Sequence, residues 1–167
     1  VLYRTKHLDW GTDTHIYRSA QAFRDEFPAR LRSAGPRVLK QNRGNDGQGV
    51  WKVEQIDPLP DGAATVRVLH AQRGSMPEQI GLTDFMERYG RYFIPDGCVV
   101  DQPYQPRLSD GMIRCYMVGD KVVGFGHQFI KALMPPPPEG PDSDAAQPGP
   151  RIMHPASVSY THLRAHE

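Results

Sequence analysis

The chain lacks several features that would place it quickly in a large class. Its 167 residues include only two cysteines, Cys98 and Cys115, with no C-x-x-C spacing. Both lie in apolar, strand-like runs. They read as buried free thiols in a reducing cytosol, with a disulfide or a metal pair as the other reading. Charge of one sign is not in excess: the net charge is +1, with 23% charged residues. That balance argues against a dedicated nucleic-acid binder, which concentrates basic residues on one face. No apolar run approaches the roughly 20 residues needed to cross a bilayer, and no signal-peptide pattern opens the sequence. Neither nucleic acid nor membrane is therefore an expected partner, and the cytoplasm is the expected compartment. The 38% hydrophobic content suffices at this length for one domain with a core, or for two small lobes. The opening at Val1, already inside "VLYRTKHLDW", reads as a segment of something longer.

The apolar pattern begins as helix and turns to strand. Leu2, Tyr3, Lys6 and Trp10 fall at rough helical spacing, with Gly11 as a stop. "TDTHIY" reads as a short extended piece. Ser19 is a candidate cap for a helix carrying Phe23, Phe27 and Leu31 on one face, kinked or restarted at Pro28 and ended by Gly35-Pro36. "RVLKQ", "GVWKVEQI" and "ATVRVLHA" read as strands, the last after the turn signal "PLPDGA". Leu82, Phe85, Met86, Tyr89 and Phe93 form a helical stripe over residues 82–93. "CVVDQPY" is an apolar strand breaking into a connector. "MIRCYMV" and "KVVGFGHQF" form a hairpin across Gly119-Asp120. "MPPPPEGPDSDAAQPGP" reads as loop or linker. The closing "SVSYTHLRAHE" resembles a read-through peptide of sequencing-adapter origin, the other reading being a genuine C-terminal segment; it has no part in the functional reading.

One stretch carries chemistry. In "RVLKQNRGNDGQGVWKVE" a strand ends at Lys40, runs into Gly44, Gly47 and Gly49, and returns as a strand. Glycines can take positive φ and place no Cβ in the path of an oxygen, so such a turn can gather backbone N–H groups around a phosphate. Lys40 would add a point charge to the same anion. Each charge-assisted hydrogen bond contributes roughly 1.5–3 kcal/mol, so a few would support micromolar binding at about 8 kcal/mol. The loop is not a Walker loop, which needs GK[ST] and a helix, nor a dinucleotide fingerprint. An ordinary hairpin with a mobile tip, and a solvated strand-end lysine, are the plain alternatives.

With this block and "VVDQPY" in order, the chain resembles the ATP-grasp superfamily, the fold of carboxylate–amine ligases such as glutathione synthetase, over residues 1 to about 155. The resemblance implies an α/β (α+β) fold with an antiparallel small lobe and the start of a second lobe. Its expected divisions are a helical entry at 1–35, a small lobe at 36–96, a hinge and first hairpin of the large lobe at 97–134, a proline-rich loop at 135–156 and a tail at 157–167. It implies ATP as the cofactor, with Lys40 on the α/β-phosphates and Arg43, Gly44, Asn45, Gly47, Gln48 and Gly49 closing over the β/γ-phosphates. Gln41 stands where proline is usual. It further implies a hinge at which Asp101 is the acidic position. There the Gln102 carbonyl and Tyr104 N–H read adenine, and Asp110 is the candidate for the ribose hydroxyls. In "GMIRCYMVGDKVVGF", Arg114 matches a basic position facing the phosphates, with Lys131 a weaker second; His127 reads as a satisfied polar residue.

The family's E-x-N motif, which with an aspartate holds two Mg²⁺ ions, is missing from the sequence. Glu139, Asp142 and Asp144 lie in the proline-rich stretch without a scaffold, so no metal ligand is assigned; Mg²⁺ is expected of a full-length protein. The implied activity is carboxylate activation through an acyl phosphate, followed by attack of an amine or other nucleophile. The partners would be ATP and an unidentified small carboxylate, and this fragment would be inactive by itself. A non-catalytic nucleotide-binding or regulatory module, and a structural domain with a mere glycine turn, are the competing readings.

Overall fold

The computed structural model describes residues 3–9, 11–44, 46–56, 63–72, 75–129, 132–133 and 151–157. The fold is α+β, and all its sheet pairings are antiparallel. Strands β1 (His15–Tyr17), β2 (Arg37–Gln41), β3 (Val50–Ile56), β4 (Thr65–His70), β5 (Glu78–Gly81) and β6 (Val99–Pro103) form one sheet in the order β1-β6-β2-β3-β4-β5. Helices α1 (Ala20–Ala34) and α2 (Leu82–Tyr89) supply side chains to the same core as its inward residues. Strands β7 (Met112–Val118), β8 (Lys121–Gln128) and β9 (Arg151–Pro155) form a second sheet of three.

Helix α1 forms where the spacing places it. Ser19 Oγ accepts from the Ala22 N–H at 3.1 Å, which satisfies one first-turn donor. Phe23, Phe27 and Leu31 are buried at four-residue intervals, and Gly35 ends the helix at φ 72°. The helix runs through Pro28 without interruption. Proline costs one bond, to the carbonyl of Arg24, and Arg24 lies on the exposed side where water can take its place. The stripe on α2 buries Leu82, Phe85, Met86 and Tyr89, after which Gly90–Phe93 tightens into a 3₁₀ turn.

Several sequence expectations need correction. Residues 3–9 form successive turns rather than a regular helix, with the Gly11 N–H on the Leu8 carbonyl at 2.7 Å. The entry region includes a strand, β1. Strand β6, expected to open the second lobe, lies inside the first sheet between β1 and β2. Residues 151–155, expected in the proline-rich loop, are strand β9, paired with β8. Cys98 is half-buried and Cys115 exposed, not the two buried thiols expected, although both are free. The proline-rich residues 134–150 and the tail from 158 lie outside the described residues, as does Lys131.

A network of charges ties β1, α1, β2 and β6 together under the helices. The Asp101 carboxylate, fully buried, accepts from Arg37 Nε at 2.6 Å, Tyr17 Oη at 2.7 Å and Arg30 Nε at 3.3 Å. Asp13 completes it, accepting from Arg30 at 2.7 Å and from Arg37 at 2.9 Å. Two guanidiniums face two carboxylates, so the charges balance. The hydrogen bond from Arg30 comes first among the causes that hold the Asp13 carboxyl below its usual range. A carboxyl lowered on folding stabilises fully above its unfolded value and loses that contribution as pH falls through the folded one. We expect Asp13→Asn to weaken stability at neutral pH and to narrow its gap from the parent protein below about pH 4, read from urea midpoints across pH.

Candidate functional site

Strand pairing sorts the candidate residues between the two faces of the first sheet. Residues directly opposite one another across a ladder share a face, and neighbours along a strand do not. Gln102, Val38, Lys52 and Leu69 make one row across β6, β2, β3 and β4; Ile16, Val100, Lys40 and Val50 make the next. This face lies opposite the helices. The other carries Leu39, Val53, Val68 and Val99 into the core, together with Arg37 and Asp101.

Lys40 is half-buried on the helix-free face. Its ammonium donates to Gln102 Oε1 at 2.8 Å, and Gln102 Nε2 in turn donates to Thr14 Oγ1 at 3.2 Å. No carboxylate pairs with it among the described residues, and burial alone lowers its pKa. Lys52, one row away, sits over the Tyr104 ring at 4.1 Å and lies 3.7 Å from Glu54. Leu133 covers part of this face in a small cleft it shares with Lys52, Leu69 and Pro77.

The glycine hairpin is anchored at its base and exposed at its tip. The Gln41 N–H donates to Gly49 O at 3.1 Å and the Asn42 N–H to Cys98 O at 3.0 Å. From α2, the buried Tyr89 hydroxyl donates to Gly49 O at 2.9 Å. Gly47 and Gly49 have φ of 76° and 67°, in the left-handed region that favours glycine. A Cβ on Gly47 would lie 2.6 Å from the Ala71 carbonyl oxygen, so the hairpin packs against the end of β4. Arg43, Gly44 and Gln48 are exposed; Asn45 lies outside the described residues.

Lys40 and the Gln102 side chain thus meet on one face, whereas Gly44 and Gly49 lie against the Gln41 side chain, which pairs with Val99 on the other face. The expected hinge contacts do not form. Asp101 does not face Lys40: alternation turns it to the helix face, where three donors enclose it. The Tyr104 N–H, expected to read adenine, donates to Pro36 O at 2.9 Å. Gln102 pairs with Val38 inside the ladder, and it is its side chain that reaches the lysine. Asp110 ends a 3₁₀ turn with its carboxylate held by Arg107 and its carbonyl against the His127 ring at 2.9 Å. No hydrogen bond joins it to Lys40 among the described residues. Arg114 is exposed on β7 opposite Gly126, in the second sheet. Sequence reasoning missed the roles of Gln102 and Tyr89. Tyr89 was legible only as a core residue, because a phenol at the end of an apolar stripe does not announce which carbonyl it will meet.

The described residues include no group of three or more His, Cys, Asp or Glu that could hold a metal ion. None of their helices is long and apolar enough to cross a membrane. The chain matches no family model, no curated protein and no solved structure.

Proposed function

We propose that Lys40 and the glycine hairpin bind the phosphates of ATP, and that the chain is the nucleotide-binding core of an ATP-grasp type ligase. The supporting observation is the state of Lys40: a half-buried ammonium whose hydrogen-bond partner is a neutral amide. Removing an ammonium from water without a counter-ion is costly, and a polyphosphate would supply the missing charge. Gly47 and Gly49, with Gly44 and Arg43 at the tip, would form the cover over that anion, hinged at the points where Tyr89 and Cys98 hold the loop base.

In such a ligase the γ-phosphate passes to a substrate carboxylate, giving an acyl phosphate from which an amine or other nucleophile displaces phosphate. Lys40 would bear part of the negative charge during transfer, in surroundings drier than bulk water. The described residues do not fit a magnesium site, and no step is assigned to the metal. The cytoplasm, where both thiols would stay reduced, is the compartment in keeping with this reading. A second reading, nucleotide binding without chemistry, is favoured by the commitment of Asp101 and Asp110 to protein contacts.

The test is a melting curve with ATP and magnesium. At a hundredfold excess over Kd, ligand stabilises by about 2.7 kcal/mol. For a chain of this size that corresponds to a rise of roughly 5–10 °C. A folded sample that shows no rise with ATP would contradict nucleotide binding.

A further inference from the structure

A second cleft lies on the opposite face of the sheet, behind the glycine hairpin. It encloses about 310 Å³ and is lined by Gln41, Gln48, His70, Gln72, Arg91 and Tyr92. That volume is at the small end for ligand clefts. Its lining contains one guanidinium, three carboxamides, an imidazole and a phenol, and no carboxylate.

His70 Nε2 is buried and has no hydrogen-bond partner among the described residues. A buried polar atom left unpaired loses its bonds to water without replacement, so its persistence calls for an explanation. The ring is held by stacking on Trp51, with centroids 4.3 Å apart and planes 16° from parallel. Burial first, and then the positive charge of Arg91, lower the imidazole pKa, which favours the neutral ring. The tautomer with its proton on Nε2 is then a donor awaiting an acceptor. Arg91 donates to Tyr92 Oη at 2.9 Å, with its guanidinium 4.9 Å from that ring's centroid. Its planar fork keeps further donors for a planar oxyanion.

We propose that this cleft is a binding site for a small carboxylate, held by Arg91 and by the Nε2–H of His70, with the Gln48 and Gln72 amides as neutral donors. A single cation among neutral donors matches a monoanion better than a phosphate dianion. Gln41 and Gln48 belong both to this cleft and to the hairpin, the Gln41 amide donating to Gln48 O at 2.9 Å. An occupant would therefore brace the loop from the side away from Lys40. The site does not depend on nucleotide binding at Lys40.

The test uses the nucleotide-free protein and sodium acetate at constant ionic strength, read by the histidine-ring signals in NMR spectra. The His70 signals are identified by their loss in His70→Phe, which keeps a ring on Trp51. They should move and saturate with half-effect on the order of 1 mM, with at least a tenfold weaker response in Arg91→Gln. Arg91 is exposed, so that variant should fold. A response that stays linear to 100-fold that concentration, or that Arg91→Gln leaves unchanged, would overturn the proposal. So would a stronger response to inorganic phosphate than to acetate.

Discussion

Asp101→Asn should cost about 3–5 kcal/mol of folding stability. The substitution keeps the volume of the side chain and removes only its charge. Arg37 is fully buried, and its Nε would face a neutral amide in place of a carboxylate at 2.6 Å. Asp13, the other carboxylate on Arg37, is half exposed and cannot supply the same field. The Tyr17 phenol, whose pKa burial and then Asp101 push upward, keeps its proton at neutral pH and would meet either the amide oxygen or the amide nitrogen. Urea unfolding should show a lower midpoint at unchanged slope. The double replacement Arg37→Met with Asp101→Leu should restore much of the loss, because two apolar groups remove the desolvation penalty that one orphaned charge leaves. A single variant as stable as the parent would mean that the network contributes little to holding β1, β2 and β6 together.

Lys40→Met should act in two opposite directions. Without ligand it should raise stability by ~0.5–2 kcal/mol, the range common where a functional site is traded for packing. The thioether stem fills the same space, and Gln102, being half-buried, can turn its oxygen to water. The pH dependence follows from the lowered pKa of Lys40, caused by burial. For a lysine lowered on folding, the unfolded chain binds the extra proton in the interval between the folded and unfolded values. The penalty is full at neutral pH and is relieved as pH rises toward the ordinary lysine value of about 10.4. The stability gap between Lys40→Met and the parent should therefore shrink with rising pH. With ATP present the order should reverse, because only the parent gains from the ligand. A variant that loses stability without ligand, yet keeps the full ATP response, would mean that Lys40 is a structural residue.

The parts of this fold visible in the sequence are those fixed by short-range pattern. Phe23, Phe27 and Leu31 announce α1 by spacing, and Gly119-Asp120 announces the β7–β8 turn. Strand β5 escaped because Glu78–Gly81 is short, polar and at the sheet edge, with no inward alternation to read. Strand β9 escaped because it follows a proline-rich stretch and exposes Ile152 and Met153 instead of burying them. The candidate site divides in the same way. Lys40 and the glycines are adjacent in sequence and were legible together. The fate of Asp101 was not, since it depends on the register of β6 against β2, a pairing of residues more than sixty positions apart that brings Arg37 and Asp101 to one face. Tyr104 shows the same limit, because its N–H is taken by Pro36 through that pairing.

The most direct measurement is the ¹⁵Nζ resonance of Lys40, followed across pH with and without ATP. Alone, the ammonium should titrate below the ordinary lysine range, as a half-buried cation beside a neutral amide must. With ATP bound, its pKa should move upward and its signal should sharpen as exchange with water slows. A Lys40 signal indifferent to ATP, with the nucleotide in large excess over a folded protein, would contradict phosphate binding at this face.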